Sequence, residues 1–171
     1  MPRYVALLRG VSPVNAKMPE LRRCFEAAGF TNVKTVLASG NVVFDSTLRS
    51  DAAVERKAEQ AMESNLDRAF YPIVRSVTAL ERLLTDDPFA RHKIPADAKR
   101  VVTFMRDDRA PKTRLPHSAD DASVLCQIGR EVFTAYIPSD KGPVFMKLIE
   151  RTFGKDVTTR TWETVKKCAA A

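Results

Sequence analysis

Along the first half of the chain, apolar and polar residues recur with periods that predict the order strand, helix, strand, strand, helix, strand. A short apolar run after Arg3 is typical of a buried strand. Apolar residues then recur three and four positions apart from Leu21 to Ala28, which indicates one face of an amphipathic helix. Glycine tolerates the positive φ of a tight turn, so Ser39-Gly40 predicts a hairpin. The predicted elements cover residues 3–9, 19–28, 32–38, 41–45, 51–70 and 71–77.

The second half repeats most of this order after a short helix over residues 78–85 and a linker over residues 86–98. Residues 107–121 occupy the place of the first helix, but Pro111 and Pro116 favour a loop or a shortened helix there. Strands are predicted over residues 100–106, 122–128, 131–137 and 157–160, and helices over residues 143–153 and 162–171.

Two such orders predict an α+β protein with two ferredoxin-like β-α-β-β-α-β units, antiparallel sheets and an additional C-terminal helix. The predicted division is a first unit over residues 1–77, a connecting helix and linker over 78–99, and a second unit over 100–171. The two units could also pack as one compact domain, and a chain of 171 residues is long enough for either arrangement.

The order of strands predicts where polar loops meet in the first unit. Strands one and three of a ferredoxin-like unit are adjacent and antiparallel, so the end of strand one lies beside the start of strand three. The loop after strand one passes over the same end. The resulting cluster, which we call the first corner, consists of Arg9, Gly10, Asn15, Lys17, Ser39 and Asn41.

A second corner is predicted in the second unit, where strands three and four run parallel and Lys141-Gly142 and Thr159-Arg160 share an end. Each corner combines a cation, small polar side chains and the free N–H groups of a helix start, which together suit an anion. Alternatives remain open for single residues. Arg9 could pair with an acidic side chain, Ser39 and Asn41 could serve only the turn, and Trp162 could anchor the last helix or offer a stacking surface.

Acidic residues also form a row on the second predicted helix, where Glu55, Glu59, Glu63 and Asp67 follow one another at every fourth position. Like charges at this spacing repel one another by about 0.2–0.5 kcal/mol per pair unless a basic group opposes them. Neighbouring Arg56 and Lys57 could be sufficient for that purpose. The alternative is that the row docks against a basic surface on the second half or on another subunit.

Charge and composition limit the classes of function. The net charge of +7 comes from 28 basic and 21 acidic residues, and it permits contact with phosphates without requiring it. Three cysteines that lie far apart argue against a disulfide framework and fit a reducing cytosol. The two histidines lack ligand-spaced partners, so we expect no metal and no cofactor. No apolar run approaches the length of a membrane span, and we therefore expect a cytoplasmic protein without a membrane partner.

Several segments resemble a bacterial family known as domain of unknown function 1697. The resemblance spans nearly the whole chain in order and is carried by residues 4–10, 18–21, 29–30, 39–44 and 158–165. It implies a pair of ferredoxin-like units and brings no established activity, cofactor or substrate. The polar positions that recur in the family fall on Arg9, Gly10, Ser39, Gly40, Asn41, Thr159, Arg160 and Trp162.

Three classes of function follow from these patterns. The first is a module that binds a small anionic or phosphorylated ligand at one or both corners. The second is nucleic-acid binding on a sheet, which would need stacking surfaces such as Tyr4 or Phe44. The third is a protein-interaction module, as a monomer or homodimer, or an enzyme of unknown reaction; no catalytic motif stands out, and no catalytic residue is assigned.

Overall fold

A computed structural model of the protein describes residues 1–140 and 142–171. The chain divides into two compact units, residues 1–84 together with 166–171, and residues 85–165. The first unit is therefore built from both ends of the chain, and the Nε–H of Arg3 donates to the main-chain oxygen of Ala171 over 3.0 Å. Residues 78–84 and 166–171 fall in the first unit, whereas the sequence-based division placed them in the linker and the second unit.

The first unit has the predicted order of elements and one antiparallel sheet in the order β2-β3-β1-β4. Its strands are β1 (Arg3–Leu8), β2 (Thr31–Val36), β3 (Asn41–Asp45) and β4 (Pro72–Ser76). Its helices are α1 (Met18–Ala27), α2 (Asp51–Asn65) and α3 (Val77–Asp86).

Three phenylalanines form the centre of the first core. Phe44 on β3 lies with its ring centroid 4.3 Å from that of Phe30 and 5.3 Å from that of Phe25 on α1. All three side chains are buried, and the apolar faces of α1 and α2 pack around them. The contact between Phe25 and Phe30 closes the end of α1, as the sequence predicts for a helix that ends at a glycine.

Helix α2 ends five residues before the predicted end at residue 70. Leu66 adopts an extended conformation, with φ −125° and ψ 161°, and the Asn65 side chain donates to the carbonyl oxygen of Ala61 over 2.8 Å. Asparagine competes in this way for backbone groups and is unfavourable inside helices. Residues 66–71 consequently form a loop that leads into β4.

The predicted acidic row does not exist as one helical surface. Glu55 is only 5% exposed, and its Oε2 accepts the N–H of Val74 on the edge strand β4 over 2.9 Å. Asp67 lies beyond the end of α2. Glu55 therefore accepts a backbone hydrogen bond from the edge strand of the sheet, and Asp67 belongs to the loop after α2.

The second unit contains a five-stranded antiparallel sheet in the order β6-β7-β8-β5-β9. A short 3₁₀ helix (Pro88–Arg91) precedes it. Its strands are β5 (Lys99–Phe104), β6 (His117–Ala119), β7 (Ala122–Ile128), β8 (Glu131–Tyr136) and β9 (Thr158–Thr161). Helix α4 (Val144–Phe153) connects β8 to β9, and α5 (Trp162–Ala170) follows β9. The Thr161 hydroxyl accepts the N–H of Thr164 over 3.2 Å, so Thr161 caps α5.

Where the first unit has α1, the second unit has a loop and the short edge strand β6, which the sequence did not predict. Arg109 ties this loop to the segment after α4, since its guanidinium pairs with Asp107 and Asp156 and donates to the Phe153 carbonyl oxygen over 3.0 Å. The hydrogen bond to Asp156, followed by that to Asp107, raises the pKa of Arg109 further above its ordinary value.

The predicted α+β class, with two antiparallel sheets and a C-terminal helix, is confirmed. The second unit is not a full repeat of the first, because no helix lies between β5 and β7, a stretch whose residues are all described. Among the described residues, no helix combines the length and the apolar character needed to cross a membrane.

Candidate functional site

The end of β1 lies beside the turn that leads into β3, as predicted for the first corner. The Leu8 N–H donates to the Gly40 carbonyl oxygen over 2.8 Å, and Leu7 pairs with Asn41 in the sheet. On the other side, the Arg9 N–H donates to the carbonyl oxygen of Tyr71 over 3.1 Å. Arg9 and Gly10 are exposed at this position and open the loop over residues 9–17.

Gly40 fixes how closely this loop can approach the turn. Its φ is +85°, and a Cβ at this position would lie 2.9 Å from the Cβ of Val11 and 3.2 Å from that of Leu8. Any other residue would therefore both strain the backbone and push the loop away.

We expect the Gly40→Ala substitution to lower the free energy of unfolding by about 2–4 kcal/mol, from left-handed backbone strain plus overpacking. Gly142→Ala is the matched control, because Gly142 has φ +84° but no described atom within 4 Å of an added Cβ. Urea unfolding of both variants measures the difference. Equal losses in the two variants would show that the contact with Val11 contributes nothing.

Three of the predicted polar residues shape the corner itself. The Asn15 amide donates to the Gly10 carbonyl oxygen over 2.8 Å and accepts the Ser12 N–H over 2.8 Å. The Asn41 side chain is fully buried and donates to the Val36 carbonyl oxygen over 2.9 Å and to the Ser39 hydroxyl over 3.0 Å. These contacts favour the interpretation of Ser39 and Asn41 as turn residues.

A cavity of about 360 Å³ opens between the loop before α1 and the loop over residues 66–71. Its apolar lining consists of Val14, Ala16, Leu21, Leu66 and Phe70, and its polar lining consists of Asn15, Lys17, Glu20, Asp67 and Arg68. Two of the predicted residues, Asn15 and Lys17, thus line one cavity together with charged side chains that the sequence analysis did not single out.

Arg68 is the principal residue of this cavity that sequence reasoning missed. Its guanidinium carbon lies 4.7 Å from the centroid of the Phe70 ring, in a cation–π arrangement. Its Nη2 lies 3.5 Å from the place where a Cβ of Gly10 would be. A Cβ at Gly10 would meet the guanidinium at ordinary van der Waals distance, so it is the contact with Phe70 that positions Arg68 at the rim of the cavity.

Lys17 enters the cavity at the start of α1. It is the N-cap residue, with extended backbone, and no side chain caps the first turn of this described helix. Pro19 in that turn has no N–H group. A helix start favours negative charge, and Glu20 supplies one carboxylate there.

The four charged groups of the cavity, on Lys17, Glu20, Asp67 and Arg68, form no ion pair with any residue in the ranges 1–140 and 142–171. Their charges are therefore available to a molecule that enters the cavity.

Three residues of the predicted second corner, Gly142, Thr159 and Arg160, are described, and Gly142 lies in a separate segment from the other two. Thr159 and Arg160 lie in the edge strand β9, where the Thr159 hydroxyl is 2.8 Å from that of Thr103 and Arg160 donates to the Thr159 carbonyl oxygen over 3.0 Å. Strand β5 separates β9 from β8. Gly142 instead lines a smaller cavity of about 140 Å³ at the turn between β6 and β7. Lys141 lies outside the described residues.

Trp162 is an anchor of the core. It is 6% exposed, and its ring packs edge-on against Phe89 and Phe133, with centroid distances of 5.0 and 6.5 Å. Tyr4 and Phe44 are also buried, in the helix-facing core of the first unit. None of these three rings offers an exposed face on which a base could stack.

The environments of Cys24 and Cys126 do not activate their thiols as nucleophiles. Burial raises the pKa of the Cys24 thiol, and burial, opposed in part by Arg91, raises that of Cys126. A raised pKa lowers the thiolate fraction and hence the reactivity of both. Within the part of the chain that the structure describes, no three histidine, cysteine or acidic side chains cluster as metal ligands.

Comparison with known proteins gives a family and a fold. The model of a family described as protein of unknown function, DUF1697, matches residues 1–133, which include the whole cavity between the two loops. The structure is similar to that of the conserved bacterial protein SP0830 from Streptococcus pneumoniae, with a TM-score of 0.68 and 19% sequence identity over 99% of this chain and 97% of that chain. This similarity shows a shared fold. No curated protein matches the sequence.

Proposed function

The chain belongs to the family of proteins of unknown function DUF1697, as its sequence motifs indicate, and we propose that it binds a small anionic ligand in the cavity between its two loops. One observation carries this proposal: Lys17 and Arg68 line the same cavity and neither is paired with an acidic side chain of the described chain. The sequence predicted a site at one or both corners. The proposed site uses Asn15 and Lys17 of the first corner and adds Arg68.

The physical argument rests on how the two cations are held. Arg68 rests on the ring of Phe70, so less conformational freedom is lost when its planar guanidinium forms hydrogen bonds. Lys17 stands at a helix start, where the helix dipole favours the same negative charge. Arg68 can bind phosphate or carboxylate with two parallel hydrogen bonds, whereas Lys17 contributes a point charge.

The dimensions of the cavity favour a small molecule over a polymer. Ligand pockets commonly enclose roughly 300–1,000 Å³, and this cavity of about 360 Å³ lies at the lower end of that range. Apolar side chains from both loops line it beside the charged groups, which are themselves exposed to solvent.

The test is a thermal-shift screen of the whole chain with inorganic phosphate, sugar phosphates, nucleotides, polyphosphate and simple carboxylates at low and moderate salt. A ligand present at about 100 times its dissociation constant adds roughly 2.7 kcal/mol to the stability. We expect Arg68→Gln and Lys17→Gln each to weaken binding of a hit about 10–100-fold, since a hydrogen bond to a charged group contributes about 1.5–3 kcal/mol.

Arg56→Gln is the matched control, because Arg56 is exposed on α2 and does not line the cavity. We expect this variant to bind the hit as tightly as the natural protein. Binding that survives both cavity substitutions would contradict the proposed site, and so would an equal loss in all three variants.

A further inference from the structure

Two sides of the cavity each contribute one positively charged and one negatively charged side chain. On the α1 side, Lys17 is the N-cap residue and Glu20 lies in the first turn, and both line the cavity at the helix start. On the opposite loop, Asp67 and Arg68 are consecutive. The cavity therefore presents two cations and two carboxylates, and its lining has no net charge.

Such a lining is a poor match for a simple anion. A phosphate in this cavity gains from Lys17 and Arg68 but is repelled by Glu20 and Asp67, which line the same cavity. The four groups do not neutralise one another either, since none forms an ion pair within the described parts of the chain. Both carboxylates are exposed to solvent, and a positive group on the ligand that pairs with them would offset their repulsion of the anionic group.

We propose that the ligand of this cavity is a small zwitterion, with an anionic group held by Lys17 and Arg68 and an ammonium group held by Glu20 and Asp67. The inference rests on the proposed function, because it concerns the same cavity and adds the chemical class of its occupant. The carboxylates would accept the ammonium hydrogens, and the cations would donate to the anionic oxygens.

A pair of matched probes separates a zwitterion from a plain anion. Phosphoethanolamine and ethyl phosphate share the same phosphate ester, and only the first carries an ammonium group. We expect calorimetry with the whole chain to give a dissociation constant at least about tenfold lower for phosphoethanolamine, which corresponds to one additional charge-assisted hydrogen bond.

Substitution of the carboxylates should change the two affinities in opposite directions. Glu20→Gln and Asp67→Asn keep the size of each side chain and remove its charge, so phosphoethanolamine should bind more weakly and ethyl phosphate more tightly. Arg68→Gln should weaken both probes. Glu63→Gln, at an exposed position on α2 outside the cavity, should change neither.

The outcomes distinguish this inference from the proposed function. Three outcomes would overturn the proposal of a zwitterionic ligand. The two probes bind equally, neither probe binds, or both probes bind the carboxylate variants more tightly. In each of these cases an anion from the screen that still binds through Arg68 would leave the proposed function intact. Failure of every anion in the screen would overturn both.

Discussion

Replacing Phe44 by alanine is expected to lower the free energy of unfolding of the first unit by about 3–5 kcal/mol, the usual range for a buried phenylalanine. Phe44 is fully buried on β3, and its ring lies within 5.3 Å, centroid to centroid, of two other phenylalanines. Truncation would remove its apolar surface from the core and leave a cavity between β3 and α1. Urea unfolding followed by far-UV circular dichroism measures this loss.

Val14→Ala is the control for Phe44→Ala, because the Val14 side chain is 97% exposed. We expect that change to stay within about 0.5 kcal/mol, as is usual for exposed positions. A Phe44 variant as stable as this control would show that the aromatic cluster is not the centre of the first core.

Replacing Trp162 by alanine is expected to destabilise the second unit by about 3–5 kcal/mol, for the same reason. The indole packs edge-on against Phe89 and Phe133, and such aromatic pairs contribute beyond the area they bury. Trp162→Phe keeps a ring at this position and should retain a larger part of the stability. Circular dichroism during urea unfolding is the suitable measurement, since each variant lacks the single tryptophan of the chain.

The fluorescence of this single tryptophan also tests the alternative in which Trp162 offers a stacking surface to a ligand. Because Trp162 is 6% exposed, we expect its emission to stay unchanged when an anion from the screen binds. Direct quenching at saturation, lost in Arg160→Gln but retained in Arg68→Gln, would move the ligand site to the start of α5.

The sequence was sufficient for the fold where the local signals agreed with one another. The apolar face of α1, the glycine at residue 40 and the cap at Ser50 each predict one element, and the structure contains that element. The sequence was insufficient where only a weak local signal marks the end of a helix. Asn65 ends α2 through its own side chain, but the apolar stripe that continues to Leu66 predicts a longer helix.

The same boundary explains why only part of the candidate site was predicted. Strand adjacency placed Arg9 and Gly10 beside residues 39–41, because pairing in an antiparallel sheet follows from the order of elements. Asp67 and Arg68 were assigned to a helix face, and so their approach to Lys17 had no basis in the pattern. For the second corner, Thr159 and Arg160 lie within β9, which β5 separates from β8 in the sheet, and Lys141 lies outside the described residues, so this corner stays a prediction.

The contact of Arg3 with Ala171 has a consequence for how the protein is made. A ribosome releases β1 and its partner strands early, but the first unit also requires residues 166–171, which are synthesised after the whole of the second unit. We therefore expect the nascent first unit to keep the surface that contacts residues 166–171 uncovered until translation has passed the second unit.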